Sequence, residues 1–600
     1  MGRYNRSLPT TERHRMNRQP IQYTIRPLDA RAHLYEVLCT VPDPDPQGQR
    51  FALPAWIPGS YLIRDFARHI VAISAQSAGR PLRLEKLDKH TWRATAPRDG
   101  AAISVRCEIY AWDLSVRGAH LDETHGFFNG TSVFLRVVGH EEAPCLVDIQ
   151  PPEGTAYADW RVATALPRAG AQEGGWGRYR ATDYDELIDH PVEMGRFTHA
   201  QFTACGVPHE IAISGRHDAD VERIASDLKR ICEAQIRFFG EPAPMDRYVF
   251  LITAVGDGYG GLEHRASTAL ICARDDLPQR GLQGTSEGYR RFLGLASHEY
   301  FHTWNVKRIK PAAFIPYDLD RENFTTLLWV FEGFTSYYDD LMLLRSGCIT
   351  LADWLDATAK TLSNVARAPG RRRQTLAESS FDAWSKFYRP DENTPNAVVS
   401  YYAKGALVAL ALDLTLRSKT GNRVSLDTVM KTLWARHGQT GVGVDEEGVR
   451  RIAEELSGLK LGRFFAAAVH DTGELPLRPL LARFGVKLSW EAENAVSLGV
   501  KTAGEGSEVK LGTVYDGGAA QQAGLAAGDV LVAIDGLRVT PKSLSAQLAR
   551  RQPGDTLAVH AFRRDELMCF DVRLAVPVAD TARLSASASG ARLRRTWLGA

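Results

Sequence analysis

The chain has 600 residues, 44% of them hydrophobic, and 73 Lys and Arg stand against 71 Asp and Glu for a formal net charge of +2. At about 150 residues per domain this length makes roughly four domains, and the composition excludes a disordered chain. Near-neutrality removes the global field of clustered cations on which nucleic-acid and anionic-membrane binders depend.

The first twenty residues, MGRYNRSLPTTERHRMNRQP, are basic and polar with no apolar stretch after them. No apolar run approaches the ~18 residues that span a bilayer. Residues 1–20 therefore read as a flexible N-terminus, and the chain as cytoplasmic; a periplasmic location would need a start upstream of Met1. Eight cysteines lie scattered between 39 and 569 with no C-x-x-C pair. They read as small buried hydrophobes in a reducing compartment.

Residues 21–195 carry short, often alternating apolar runs such as IQYTI, HLYEVLCTV and AAISVRCEIY between Pro, Gly and Asp clusters. This pattern predicts an N-terminal β domain, a sandwich. Within it PAWIPGSYLIRDFARH, at 54–69, has the composition of a packed corner. Residues 196–350 mix strands (RYVFLIT, STALICA) with amphipathic helices, and 351–482 are mostly helical with a basic break at Gly370 to Arg373. Residues 483–577 form a compact, strand-rich segment around one short helix. The end of the chain from 578, through TARLSASASGARLRRTWLGA, reads as a flexible tail.

The strongest chemical signal is His298-Glu299-Tyr300-Phe301-His302. Its surroundings repeat apolar residues at helical spacing, at Tyr289, Phe292, Leu293, Ala296 and Tyr300. On a helix, residues i and i+4 share a face, so both imidazoles can meet one Zn²⁺ at about 2.0 to 2.1 Å. Glu299, one step round, would stand beside the metal as general base for a metal-bound water whose pKa the ion lowers toward about 7. The alternative is two ordinary histidines, on the surface or in the core. A hydrolytic zinc site takes a third protein ligand from elsewhere. Glu332, in the apolar helical pattern TTLLWVFEGFTSYYDDLMLL, is the best candidate, because a carboxylate on a buried helix face is costly unless paired or metal-bound.

Upstream, Gly260, Gly261, Glu263 and His264 close a Gly-rich stretch before the strand Ser267 to Ala273. Glycines let a backbone approach a ligand, a following edge strand can hold an extended peptide, and Glu263 can pair with a substrate α-amine. A bare turn is the alternative; no phosphate-cradle motif is matched. Tyr402, in SYYAKG before an apolar helix, can stabilise an oxyanion if it faces the metal, although tyrosines at helix starts usually pack.

HEYFHTWNVKRIKP followed by LWVFEGFTSYY resembles the glycyl-aminopeptidase family of the gluzincin zinc peptidases, and PAWIPGSYLIRDFARH resembles that family's N-terminal signature. The resemblance spans roughly residues 20 to 577. It implies a multidomain α+β chain: N-terminal β domain, thermolysin-like catalytic domain, helical domain and C-terminal PDZ domain. It implies zinc on His298, His302 and Glu332, with Glu299 as base. Gly260 to His264 is similar to the G-x-M-E-N motif of the aminopeptidase N family, which carries amine recognition onto Glu263. Tyr402-Ala-Lys-Gly405 is similar to its Y-x-K-G, which carries the oxyanion role onto Tyr402. Two departures stand out: the third ligand lies farther from the second His, which fits the glycyl-aminopeptidase branch, and His264 replaces the motif's Asn, which weakens the exopeptidase assignment.

Leu511 to Gly536 resembles the PDZ domains of bacterial proteases, with Leu498, Gly499 and Val500 as the candidate carboxylate loop, unless the domain only packs on the enzyme. The reading is a Zn²⁺-dependent aminopeptidase removing N-terminal residues, Gly or Ala by the family's name, from peptides with a free N-terminus. A peptide C-terminus is an open partner at the PDZ domain; no nucleic acid and no membrane span are expected. The rivals are an endopeptidase on the same zinc site, a non-catalytic PDZ adaptor, and a partner surface on the β domain and Arg371 to Arg373.

Overall fold

The computed structural model describes residues 19–172, 174–282, 284–492, 495–503 and 506–599. The N-terminal segment 1–18 lies outside the described residues. The chain divides into two compact units: one runs to Arg308 and includes Pro316–Asn323, and the other comprises Ile309–Ile315 and Phe324–Ala600.

The first unit begins with a seven-stranded sheet, in the order Gly177–Ala181, Cys145–Ile149, Ile21–Asp29, Leu34–Val41, Ile103–Tyr110, Ile70–Ser77 and Arg80–Leu82. Alternation selects one buried face: Tyr23 and Ile25, Tyr35, Val37, Cys39 and Val41, then Ile103, Val105, Cys107 and Ile109. Two four-stranded sheets complete this β region. No disulfide joins any of the eight cysteines, and burial pushes the Cys107 thiol up to about 12. Six are buried as anticipated, but Cys569 is exposed and Cys205 only half-buried.

A five-stranded sheet follows, in the order Thr198–Ala204, Val207–Ser214, Tyr248–Val255, Ser267–Ala273 and Tyr259–Glu263. The three middle strands are parallel and almost wholly buried, while Tyr259–Glu263 runs antiparallel at the edge. This corrects one expectation: Ser267–Ala273 is interior, and the Gly-rich stretch is itself the edge strand. Helix Glu287–Phe301 starts where the Ser286 hydroxyl accepts from the Tyr289 N–H at 3.0 Å. It is fixed to helix Val221–Phe239 by the Gln235 amide, which donates to the Ser297 carbonyl at 2.9 Å, and by Trp304 stacked on Phe239.

In the second unit, a π-helical turn at Trp329–Gly333 runs into helix Phe334–Arg345. Helix Ala403–Thr420 packs against this turn through Gly405; a β-carbon on Gly333 would stand 2.6 Å from the Gly405 Cα. The basic stretch is a short 3₁₀ turn, Pro369–Arg372, with Arg371 paired to Glu474 and Arg373 to Asp516 at 2.6 Å, so two of its three charges have partners within the unit.

A separate core of Leu511, Leu531, Ile534, Val559 and Val572 organises the sheet of residues 500–573. Asp535 and Gly536 both take positive φ, 50° and 74°, the conformation of a tight hairpin turn into Leu537–Arg538. Beyond it the flexible-tail expectation fails. Thr581–Ala586 pairs with Val486–Glu491, and helix Ala591–Leu598 buries Trp597 against Trp354 and Phe484. The Trp597 indole N–H donates to the Tyr337 hydroxyl at 2.9 Å. Small residues made this stretch look mobile; two apolar side chains near its end hold it down. Among the described residues no helix is long and apolar enough to cross a membrane.

Candidate active site

His298 and Glu299 lie in the last turn of helix Glu287–Phe301, and His302 caps it, its N–H bonded to the His298 carbonyl at 3.2 Å. The two imidazole centroids are 4.6 Å apart. The Nδ1 of His302 is 2.7 Å from the Asn305 carbonyl oxygen, an acceptor, so Nδ1 carries the proton and Nε2 presents its lone pair. This is the arrangement of a metal-ligating histidine oriented by a backbone carbonyl. Two imidazoles four residues apart, one with its tautomer fixed, fit a zinc-class cation.

Glu299 is buried beside the edge strand. Gly261 faces it so closely that a β-carbon there would overlap the Glu299 carboxylate. Glu263, on the same strand, is also buried; its Oε1 has no hydrogen-bond partner among the described residues. Ligand atoms of Glu263, Glu299 and His302 all lie within 4.8 Å of one another. Such an orphaned carboxylate oxygen is costly to bury unless a cation or donor arrives.

The turn around Glu263 is built from distant segments. Gly59, at φ +98°, brings the Pro-Gly turn of the N-terminal signature onto Glu263, and a β-carbon there would come within 2.6 Å of the carboxylate. The signature is thus a packed corner, with Trp56, Tyr61 and Phe66 buried, that also walls the site. Arg117 donates to the Gly261 carbonyl at 3.1 Å, and its guanidinium lies beside Gly260. His264 points away into a charged cluster: its Nδ1 is 3.4 Å from Asp189, which also meets Lys307 at 2.5 Å and accepts from the Arg265 N–H at 3.0 Å. Burial opposes ionisation of Asp189, but the Lys307 charge wins and holds its carboxyl well below the usual range. Burial lowers the His264 pKa.

Sequence reasoning missed Arg117, Asp189 and Asn305. Asn305 lay in the quoted HTWN string, three residues past the second histidine, and was the one with a readable position.

The remaining candidates belong to the second unit. Glu332 is buried on the π-helical turn, a distortion frequent at functional sites. Tyr402 precedes helix Ala403–Thr420, its hydroxyl 3.2 Å from that of Tyr388. In the 496–574 core region, Leu498 is buried, and the Gly499 N–H donates to the Ser497 hydroxyl at 3.0 Å. Val500 begins the edge strand Val500–Ala503.

A buried carboxylate and two imidazoles, one of them oriented by a backbone carbonyl, beside a sheet-edge strand make the site of a metallopeptidase. The chain belongs to the M61 glycyl aminopeptidase family. The M61 glycyl aminopeptidase domain matches residues 291–408, the Peptidase M61 N-terminal domain matches 22–196, and a PDZ domain matches 512–557. An aminopeptidase N family protein from Idiomarina loihiensis, solved by crystallography, is 42% identical over 96% of this chain and 100% of its own, with a TM-score of 0.93. An M1 zinc metallopeptidase mutant from Deinococcus radiodurans, bound to a Tyr-ser-ala substrate, is 16% identical over 76% and 94%, at a TM-score of 0.46. Yeast LTA4 hydrolase in complex with Bestatin is 11% identical over 78% and 73%, at 0.48. No curated protein sequence matches.

Proposed function

We propose that this metallopeptidase is a zinc aminopeptidase that removes N-terminal residues from peptides, small ones such as Gly or Ala among them. The observation that carries the reading is the buried, unpartnered Oε1 of Glu263 at the sheet edge. A peptide lying along Tyr259–Glu263 would bring its α-ammonium to that oxygen, a charge-assisted hydrogen bond that relieves the burial cost. The preference for small N-terminal residues follows the family's name.

His298 and His302 would hold the zinc, with Glu332 as third ligand. When bound, it supplies a Lewis acid and an acidified water. Glu299 takes a proton from the attacking water and returns it to the leaving amine. Glu263 holds the free N-terminus, which fixes the first peptide bond at the reacting distance. Tyr402 donates to the oxyanion of the tetrahedral intermediate. His264 acts from behind the strand by tying the Glu263 turn to Asp189.

We further place the N-terminal β domain at 21–195, the catalytic domain at 196–350, the helical domain at 351–482 and the PDZ domain at 483–577, with Leu498 to Val500 receiving a peptide C-terminus. We further propose a cytoplasmic location, which the scattered and mostly buried cysteines support.

The test is metal dependence. Chelated protein should lose hydrolysis of an aminoacyl substrate, and about one equivalent of Zn²⁺ per chain should restore it. Full activity in exhaustively chelated protein would overturn the zinc assignment.

A further inference from the structure

A second group of metal-competent side chains sits in the N-terminal β region, on the hairpin Ala119–Leu121 and His125–Phe128. His120 and His125 are buried, and Asp122, in the loop between them, is half-buried. Ligand atoms of these three residues lie within 4.8 Å of one another. The imidazoles are neighbours with centroids 4.9 Å apart and planes tilted by 32°.

Each ring carries its own carboxylate. The Nε2 of His120 is 3.2 Å from Asp122 Oδ2, close to the ~3.3 Å edge of a tetrahedron with 2.0 Å metal bonds. The other oxygen of Asp122 is occupied by backbone N–H groups of Thr124 and His125, which aims Oδ2 at the rings. The Nδ1 of His125 is 3.1 Å from Glu193 Oε1, which also accepts from the Ser214 hydroxyl. A carboxylate on Nδ1 holds the proton there and leaves Nε2 as a lone-pair donor, the usual outer-shell device of metal-binding histidines. With Nε2 on a cation the proton of the His120 ring sits on Nδ1, which is buried and has no hydrogen-bond partner among the described residues.

We propose that His120, Asp122 and His125 bind a second divalent cation of the zinc class, with Glu193 orienting His125. Two imidazoles and one carboxylate suit Zn²⁺ and its first-row neighbours, not Mg²⁺ or Ca²⁺, which take oxygen shells. Three protein ligands leave a fourth position for water on the half-buried Asp122 side. The consequence reaches the candidate active site, because the segment that enters this hairpin carries Arg117, the donor to the Gly261 carbonyl. A cation here would pin the base of that segment. The site stands on residues apart from His298 and His302, and its existence does not depend on the peptidase reading.

The experiment uses the full chain with His298→Ala and His302→Ala, which removes the candidate catalytic donors. It is loaded with Zn²⁺, desalted and assayed for metal by mass spectrometry, with folding checked by circular dichroism. About one zinc per chain is expected, with two imidazoles in its shell by X-ray absorption. Adding His120→Gln and Asp122→Asn should abolish it. Glu193→Gln, which removes no ligand, should weaken binding about 10- to 100-fold. No zinc in the folded His298/His302 variant would overturn the proposal, as would zinc that persists after His120 and Asp122 are changed.

Discussion

Gly261 and Glu299 are in such close apposition that only a hydrogen fits where a β-carbon would stand. The edge strand and the end of the histidine-bearing helix meet at this pair, so the position of the proposed base depends on the absence of a side chain across from it. Gly261→Ala should therefore displace the Glu299 carboxylate while leaving the fold intact, because Gly261 does not need a left-handed backbone. A misplacement near 1 Å costs on the order of 10²-fold in rate. Steady-state kinetics should show kcat falling by about that factor with metal content unchanged; wild-type kcat would separate the strand from the base.

Glu299→Gln removes the proton acceptor and keeps the shape. Turnover should fall by about 10²- to 10⁴-fold, the range for general acid–base groups, with zinc content unaltered. Metal analysis beside single-turnover rates checks both halves.

Gly333 and Gly405 pack backbone to backbone in the second unit; a β-carbon on Gly405 would lie 2.8 Å from the Gly333 Cα and 3.1 Å from the Trp329 carbonyl. Gly405→Ala should destabilise the chain by about 1 to 3 kcal/mol as the helix and the π-turn are forced apart. Urea unfolding followed by tryptophan fluorescence measures it.

The Asp189 cluster makes a pH prediction. Its carboxyl pKa is lowered in the folded chain, so the stability it contributes is fully present above the unfolded value near 3.9 and is lost as pH falls through the lower folded value. Between about pH 4 and pH 3, the wild type should therefore lose about 0.9 kcal/mol more stability than Asp189→Asn, the difference steepening toward about 1.4 kcal/mol per pH unit only below about pH 3. Parallel urea titrations at several pH values read the slope difference; equal slopes would contradict a depressed Asp189.

What was legible in the sequence followed from local geometry. The histidine pair, the alternating strands and the Asp535-Gly536 turn are all set by spacing within a few residues. The rest came from chain segments far apart in number. Arg117 reaches Gly261 across 144 positions and His264 reaches Asp189 across 75, and no periodicity announces such contacts. His264 directly follows Glu263 in number, yet it stands past the end of the strand, where its ring meets Asp189. The end of the chain misled for a different reason. Its Ser-Ala-Gly composition is that of a tail, while its structure is decided by Trp597 and Leu598, both buried.

The central claim, that Glu263 receives a free N-terminus, is tested most directly by a matched peptide pair, one free and one N-acetylated, incubated with the zinc-loaded protein and read by product mass. The account predicts stepwise loss of single residues from the free peptide and none from its acetylated twin. Internal cleavage of both at similar rates would contradict it and make the chain an endopeptidase.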